Sequence, residues 1–462
     1  MTSAVIEHPL LAEIHAIVGD RGLLLGDDVA MRSCDPFRHV EPRGAMIVRP
    51  ASTEELSKVM ACCHRAGQRV VTHGGRTGVA GGAFVDESEI ILSLERMNRI
   101  EEVCPITNLA TVEAGVTVEA LQVAAAAHDL FYPVDLGSKG TATIGGTIST
   151  NAGGNRVLRW GMTRANVMGL EVVLADGTIV NAMNRLVKNN TGYDVKHYFI
   201  GAEGTLGIVT RAVMKLVPAP SSQSVAFVAV PDQASLIALL THARRMPILS
   251  AFEAMWPDYY DIVANSGTDR RPLEPGQGIY VLIEGMGYDA ELDQGVFEQF
   301  LERMYEEGLI VDAVTAASNK QIADLWRVRE GAECIVHAMK TFVSFDISVD
   351  IRDVEAVVEK ARKNLSEAYP ILQMATYGHL GDNNIHIAVH VGPDTHEHET
   401  NVERLVFRAV REHGGAITAE HGIGQSKKAF LPDHKHPGEM TVMRKVRAAL
   451  DESALLNRDV LF

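Results

Sequence analysis

The sequence predicts an α+β protein of more than one domain, and three observations carry that prediction. The chain has 462 residues, more than a single hydrophobic core ordinarily serves. Helix and strand signals alternate from about Ala51 to Pro218 among glycine-dense loops, a pattern of short elements joined by tight backbone turns. After Pro218-Ala219-Pro220-Ser221-Ser222, which reads as a linker, the helices become longer and more charged while strands still intervene. Such a run suits an antiparallel sheet with helices packed on it.

Taken in order, Ser52 with Glu55 makes a capping box ahead of Leu56, Val59, Met60 and Cys63, which predicts an amphipathic helix ending at Gly67. Strands are expected over Arg69 to His73, Glu89 to Leu94, Leu109 to Glu113, Leu170 to Leu174 and Thr205 to Leu216, with Asp176-Gly177 turning a hairpin into Thr178-Ile179-Val180. Beyond the linker the expected elements are a strand at Ala226 to Val230, a helix after Asp232 and a strand at Ile279 to Ile283. Helices from Glu291 to Tyr305 and Gln321 to Ala338, a strand at Phe342 to Val349 and a helix from Val354 follow. Ala416 to Glu420 is expected at a strand end. The stretch from Pro432 to Pro437 then separates a last helix and the tail Leu455-Leu456-Asn457, which returns to the first domain. The expected domains are residues 1–217, 218–433 and 434–462, the last a C-terminal helical segment. There is no internal repeat and no low-complexity stretch.

Charge narrows the function. A net charge of -16 argues against unspecific binding to nucleic acid or anionic membranes, which needs a basic face. A local basic funnel for an anionic substrate stays compatible with it. No apolar run approaches a membrane span, and Glu7, His8 and Glu13 interrupt the N-terminal region where a signal peptide would need a basic start and an apolar stretch. The cytoplasm is therefore the expected compartment. Five cysteines, Cys34, Cys62, Cys63, Cys104 and Cys334, are odd in number and contain no CxxC pair, which fits reduced thiols in core or helix-face positions.

Three segments concentrate glycine: Val71 to Gly82; Asp135 to Ser138 with Gly145-Gly146 and Asn151 to Gly154; and Gly201 to Gly207. Glycine lets successive amides turn inward and lets backbone approach a ligand closely, the way a pyrophosphate is cradled without side chains. Each loop alone is equally a tight turn. Together they suit a dinucleotide, yet none makes the first-strand nicotinamide fingerprint or carries a Walker lysine.

A second constellation lies late in the chain: Gly378-His379-Leu380-Gly381-Asp382-Asn383-Asn384-Ile385-His386, and further on Ala419-Glu420-His421-Gly422. Two imidazoles and a carboxylate form a first-row metal set with open positions, and such sites polarise a bound oxygen. The turn formers from Gly381 to Asn384 can fold the chain so that His379 and His386 face each other; in one straight strand, residues seven apart would point to opposite faces. With 18 histidines in the chain, surface or satisfied core roles for the pair stand beside the metal reading.

Read together, these motifs resemble the vanillyl-alcohol-oxidase-like flavoproteins over nearly the whole chain. Within them, Gly378 to His386 and Glu420-His421 are similar to the metal-dependent, FAD-linked D-2-hydroxy acid dehydrogenases, which include D-2-hydroxyglutarate and D-lactate dehydrogenases and the flavin subunit of glycolate oxidase. The resemblance implies a two-part FAD-binding domain, an α+β cap domain for substrate, zinc or manganese on His379, His386 and Glu420, and His421 as the base. It implies that Gly74, Gly75, Arg76, Thr77 and Gly78 wrap the pyrophosphate, and that Leu136, Gly137, Ser138, Gly145 and Gly146 line the ribityl and isoalloxazine side. Gly153, Gly154, Glu203, Gly204 and Ile208 would complete the pocket. Relatives that tether FAD place a histidine where this chain has Arg76, so the flavin is expected to be non-covalent.

The same resemblance puts a D-2-hydroxy acid on Arg329, with Glu333, Ser344 and Asn384 among the substrate contacts. The far end of that pocket departs from D-2-hydroxyglutarate dehydrogenases: Glu333 replaces a threonine, Ser344 a lysine and Ala388 an asparagine. Lys340 or His337 are the local cations that could stand in for the lysine. An electron acceptor such as electron-transfer flavoprotein, a quinone or a cytochrome is implied, and a homodimer is the expected assembly. Strict D-2-hydroxyglutarate oxidation, a synthase of the alkyl-dihydroxyacetone-phosphate type, which ends each cycle with oxidised flavin, and a noncatalytic flavin subunit of a larger complex are the alternatives.

Overall fold

The protein was analysed as a computed structural model that describes residues 8–36, 40–267 and 271–462, so Glu7 lies outside the described residues. Its contacts gather into two units. The first holds the chain up to Gly154, Gly161–Ala219 and Glu420–Phe462; the second holds Asn155–Trp160 and Pro220–Ala419. The C-terminal part of the first unit thus starts at Glu420, where the sequence suggested 434.

In the first unit, strands β1 (Leu23–Leu24), β2 (Ile47–Val48), β3 (Arg69–His73) and β4 (Glu89–Ser93) form a sheet in the order β1-β2-β4-β3, with β2, β4 and β3 parallel. The helix Thr53–Ala66 supplies the crossover between β2 and β3. It starts where expected because the Ser52 side chain accepts from the Glu55 amide, while the Glu55 carboxylate reaches back to the amide of Ala51, one residue before the cap. It ends at Gly67, in the left-handed region at φ 64°, where glycine carries no steric penalty. Leu56, Val59, Met60 and Cys63 are fully buried on one face, and truncating Leu56 to alanine would cost about 2–5 kcal/mol.

A five-stranded antiparallel sheet follows, built from β5 (Ile100–Cys104), β6 (Leu109–Glu113), β8 (Val167–Val173), β9 (Ile179–Ala182) and β10 (Ile208–Lys215) in the order β5-β6-β10-β8-β9; β7 (Leu130–Phe131) pairs with β11 (Val217–Pro218). The hairpin at Asp176-Gly177 forms as expected. Asp176 accepts the Thr178 amide, and Gly177 at φ 90° has no room for a side chain, since a Cβ would stand 2.5 Å from the Ser57 carbonyl oxygen. Gly145-Gly146, expected in a loop, instead opens the helix Ile144–Thr150, capped by Thr143. Near the C-terminus a short helix, Leu431–His434, occupies the Pro432–Pro437 stretch before the last helix, Pro437–Leu450. The tail then joins the first sheet: Val70 donates to the Leu455 carbonyl, and the Asn457 side chain accepts from Thr72. All five cysteines are free and four are buried; burial pushes the Cys63 thiol up to about 12.

The second unit is a seven-stranded antiparallel sheet. Its strands β12 (Ser222–Val230), β13 (Leu249–Met255), β14 (Ile279–Gly287), β15 (Asp312–Thr315), β16 (Val343–Ser348), β17 (Gln373–Gly378) and β18 (Asn384–His390) run in the order β15-β12-β14-β13-β17-β18-β16. The register sets Met255, Tyr377, His386 and Asp346 side by side on one face. That face packs its apolar side chains with Tyr259, Tyr260, Trp326, Ile335 and Met339 from the helices. On the other face Phe345 meets Phe407 edge-on.

Two expectations are corrected here. The helix expected over Gln321 to Ala338 is two helices, Asn319–Arg329 and Ala332–Met339. The buried Tyr259 hydroxyl donates to the Val328 and Arg329 carbonyls and accepts from the Gly331 amide, which satisfies the first helix's end and breaks the run at glycine. Ala416 to Glu420 is in no strand: Ala416 makes an isolated bridge with Ser348, and Ala419 donates both to the Asp346 backbone carbonyl and to its side chain.

His73 closes β3. It is 3% exposed and its Nε2 donates to the Ala83 carbonyl at 2.9 Å. Burial lowers its pKa to about 4, the Ala83 bond opposing and Arg76 assisting. An unfolded histidine titrates near 6.5, so between pH 6.5 and 4 the unfolded chain binds a proton that the folded chain refuses. The stability from neutral His73 is therefore full above pH 6.5 and falls by about 3 kcal/mol on descent to pH 4. Urea unfolding across that range should show the decline, and His73→Leu should remove its share. An identical pH slope in the variant would assign the decline to other groups.

Candidate active site

The turn expected between the two late histidines forms. β17 ends at Gly378, a 3-10 turn spans Leu380–Asp382, and Asn383 adopts φ 76° before β18 begins. Glycine is required at 378, where a Cβ would lie 2.4 Å from the Asn384 carbonyl oxygen. His379 and His386 meet with ring centroids 5.3 Å apart and planes at 81°.

Each imidazole has a carboxylate behind it. His379 Nδ1 stands 2.9 Å from Glu253 Oε1, and His386 Nδ1 is 3.8 Å from Asp346 Oδ1. A carboxylate on Nδ1 holds the proton there and leaves Nε2 of His379 as the nitrogen with a free lone pair. Glu253 also accepts from Arg329 Nε at 2.7 Å, and both partners of that pair are buried. Burial alone would raise the Glu253 carboxyl, but the adjacent His379 and Arg329 hold it below the usual carboxylate range. The Arg329 guanidinium lies over the Tyr377 ring at 4.9 Å, and its Nη2 is 3.4 Å from His379 Nε2. Three contacts thus fix its plane.

Asp346, fully buried in β16, takes Asn384 Nδ2 at 2.7 Å, the Ala419 amide at 3.0 Å and the Thr418 hydroxyl at 3.1 Å. The Ala419 amide also donates to the Asp346 backbone carbonyl at 3.1 Å, so side chain and backbone of one residue hold 418–419, and Glu420 follows by one peptide bond. Asn384 keeps its Oδ1 buried with no protein partner. A third buried carboxylate, Glu284, accepts from Arg156, Gln223, Ser250 and Trp326, which binds Asn155–Trp160 into the second unit. Glu333 and Ser344 are exposed, while Ala388, directly across from Ser344, is buried. Sequence reasoning missed Glu253, Asp346 and Glu284. The signal was present, since each is the lone charged residue of its strand, and such a group is buried only with partners.

In the first unit the glycine segments pack backbone to backbone. A Cβ on Gly74 would meet Thr143 Oγ1 at 2.6 Å, one on Gly75 the Thr141 carbonyl oxygen at 2.1 Å, and one on Gly154 the Asp135 carbonyl oxygen at 2.2 Å. Gly78 and Gly137 differ, for a Cβ there has no heavy atom within 4 Å. Some glycines therefore let the loops approach one another, and others leave open space beside bare backbone. Arg76 and Glu203 adopt left-handed φ of 56° and 51°, and Ser138 O accepts the Thr141 and Ala142 amides. Leu136 and Thr77 are partly buried, Gly153 is buried and Ile208 opens β10. Gly154 also donates its amide to the Glu420 carboxylate at 2.6 Å, and His421 is half-buried next to it in sequence.

The chain matches the model of the FAD linked oxidases, C-terminal domain, over residues 219–461, and that of the FAD binding domain over residues 44–183. It belongs to the FAD-linked oxidase family and is a flavoprotein. It is 36% identical over 449 residues to a probable mitochondrial D-2-hydroxyglutarate dehydrogenase of Oryza sativa subsp. indica, covering 96% of this chain and 79% of that one. Against the D-2-hydroxyglutarate dehydrogenase of Xanthomonas citri pv. viticola the identity is 36% over 93% of this chain and 91% of that one. A putative mitochondrial D-lactate dehydrogenase of Schizosaccharomyces pombe is 33% identical over 89% of this chain and 80% of that one. Among solved structures, p-cresol methylhydroxylase with substrate bound aligns with a TM-score of 0.77 at 15% identity, over 97% of this chain and 95% of that one. An alkyldihydroxyacetonephosphate synthase aligns at 0.75 and 15% identity, over 99% and 86% of the two chains. The fold is that of the vanillyl-alcohol-oxidase type. Among the described residues no helix is long and apolar enough to cross a membrane.

Asp346→Ala takes one acceptor each from Asn384 Nδ2, the Ala419 amide and the Thr418 hydroxyl, while the first two keep the backbone carbonyls of Ile347 and residue 346, each at 3.1 Å. At about 0.5–1.5 kcal/mol for each of the three hydrogen bonds lost, the variant should lose about 1.5–4.5 kcal/mol, and Asp346→Asn, which keeps one acceptor, should lose less. Urea unfolding followed by circular dichroism measures both. A wild-type midpoint for the alanine variant would refute the hub.

Proposed function

We propose that the protein oxidises a D-2-hydroxy acid to the 2-oxo acid, using non-covalent FAD and a divalent metal, zinc or manganese, on His379, His386 and Glu420. The observation that carries this is the facing pair of imidazoles, each backed by a buried carboxylate and flanked by a buried arginine. A structural histidine pair has no need of that backing, whereas a ligating pair uses it to orient the rings. The donor set fits a borderline first-row cation. For the flavin, the open space beside Gly78 and Gly137 fits backbone that a pyrophosphate or ribityl chain approaches. Arg76 stands at the tethering position, and the nearby His73 is committed to Ala83, which supports a non-covalent cofactor.

When bound, FAD supplies a hydride acceptor and the metal supplies polarisation of the substrate hydroxyl. The residues do the rest. Arg329, its plane fixed by Glu253 and Tyr377, offers its outer guanidinium edge to the substrate carboxylate. Its charge survives burial because Glu253 holds it in the ionised form. His421 takes the hydroxyl proton as the C–H bond breaks. His421→Ala should keep the flavin and lose roughly a hundred- to ten-thousand-fold in kcat. An unimpaired variant would dismiss His421 as the base.

The curated relatives named above are dehydrogenases of D-2-hydroxy acids, and two of the three are D-2-hydroxyglutarate dehydrogenases. Those names favour a dicarboxylate. The residues favour a neutral side chain, because Ser344, Glu333 and Ala388 carry no cation for a second carboxylate. Loss of such a charge-assisted bond is worth about 1.5–3 kcal/mol, which corresponds to roughly ten- to a hundredfold in kcat/KM. We therefore expect D-lactate or a longer neutral D-2-hydroxy acid to outcompete D-2-hydroxyglutarate with a dye acceptor. A clear preference for D-2-hydroxyglutarate would mean that Lys340, His337 or another cation fills the lysine's place. Lasting bleaching of the flavin by the preferred acid would separate a dehydrogenase from a synthase.

A further inference from the structure

The segment that carries Glu420 and His421 is fastened within the first unit to all three glycine-dense stretches. The Glu420 carboxylate accepts from Gly154. Ala80 O receives the amides of Gln425 and Ser426 at 3.0 and 3.1 Å, and the Gln425 side chain donates to Phe84 O. The third fastening takes two amides at once: the half-buried Glu203 carboxylate accepts the Ile423 amide on Oε1 at 2.9 Å and the Gly424 amide on Oε2 at 2.7 Å. Gly422 makes this approach possible, since a Cβ there would stand 2.9 Å from Glu203 Cδ.

Glu203 is costly where it stands. Its φ of 51° lies in the region that glycine and asparagine occupy most readily, and Gly201 and Gly204 beside it are glycines at positive φ. Burial raises its carboxyl, and the two amides and Lys427 oppose that rise. A residue in a strained backbone conformation persists where its surroundings hold it there. Here each carboxylate oxygen takes an amide of the backbone just after His421.

We propose that Glu203 is a positioning residue for catalysis: it holds Gly422–Gly424 against the flavin-binding loops and so sets the place of His421. This rests on the reading of His421 as the base. Misplacement of a catalytic group by about 1 Å can cost on the order of a hundredfold in rate.

The test uses the FAD-loaded full chain. Glu203→Gln replaces one acceptor by a donor facing an amide, and Gly422→Ala pushes on the same contact from the other side. Three measurements are made: amide hydrogen exchange over 421–426, FAD content, and the rate of flavin reduction per bound flavin at saturating D-2-hydroxy acid. Both variants should exchange faster in that stretch alone, keep FAD and substrate affinity, and reduce about a hundredfold more slowly. A wild-type rate per bound flavin in either variant, with faster exchange, would overturn the proposal, as would lost FAD with a normal rate in the loaded fraction. His421→Ala is run alongside. If it reduces normally, the base assignment fails; if it is slow while Glu203→Gln is normal, only the positioning role fails.

Discussion

The second unit depends on charge that has been taken out of water and cannot be left alone. Glu253, Glu284 and Asp346 sit in the apolar strands β13, β14 and β16, all on the face that carries His386. An unpaired carboxylate there would cost several kcal/mol, so each dictates where its donors must be. Arg329 and His379 are drawn to Glu253, Arg156 and Trp326 to Glu284, and Asn384 and Ala419 to Asp346. His379 is held in place as a by-product of satisfying Glu253, and Asp346 stands behind His386.

Local signals were legible in the sequence wherever one residue decides the outcome. Ser52 and Gly67 bound their helix, Gly177 turns its hairpin, and the turn from Gly381 to Asn384 brings the histidines together. What could not be read depends on partners far along the chain. The break at Glu330–Gly331 needs the Tyr259 hydroxyl, and nothing in the helical period announces it. Ala416 to Glu420 looked like a strand end, yet Ala419 divides its amide between the backbone and the side chain of Asp346, 73 residues away.

The site shows the same division. Residue types and order pointed to His379, His386 and Arg329, and the hairpin brings the first two together and stands the third beside them. The supporting carboxylates were invisible to motif reading because they lie one to a strand, well apart in sequence. Glu203 shows the converse: the motif placed it at the flavin, yet its carboxylate faces the segment behind His421.

The tail that joins the first sheet has a consequence for biogenesis. Val70 donates to the Leu455 carbonyl, and Asn457 accepts from Thr72 and donates to the Glu203 carbonyl. The flavin-binding unit is therefore unfinished until residues 455–457 have left the ribosome. At roughly 5–20 residues per second, β3 waits on the order of tens of seconds for its partner, with an open sheet edge and an unlocked loop at 203–204. Loss of residues 455–457 would leave that edge without its partner and the 203–204 loop without the Asn457 bond.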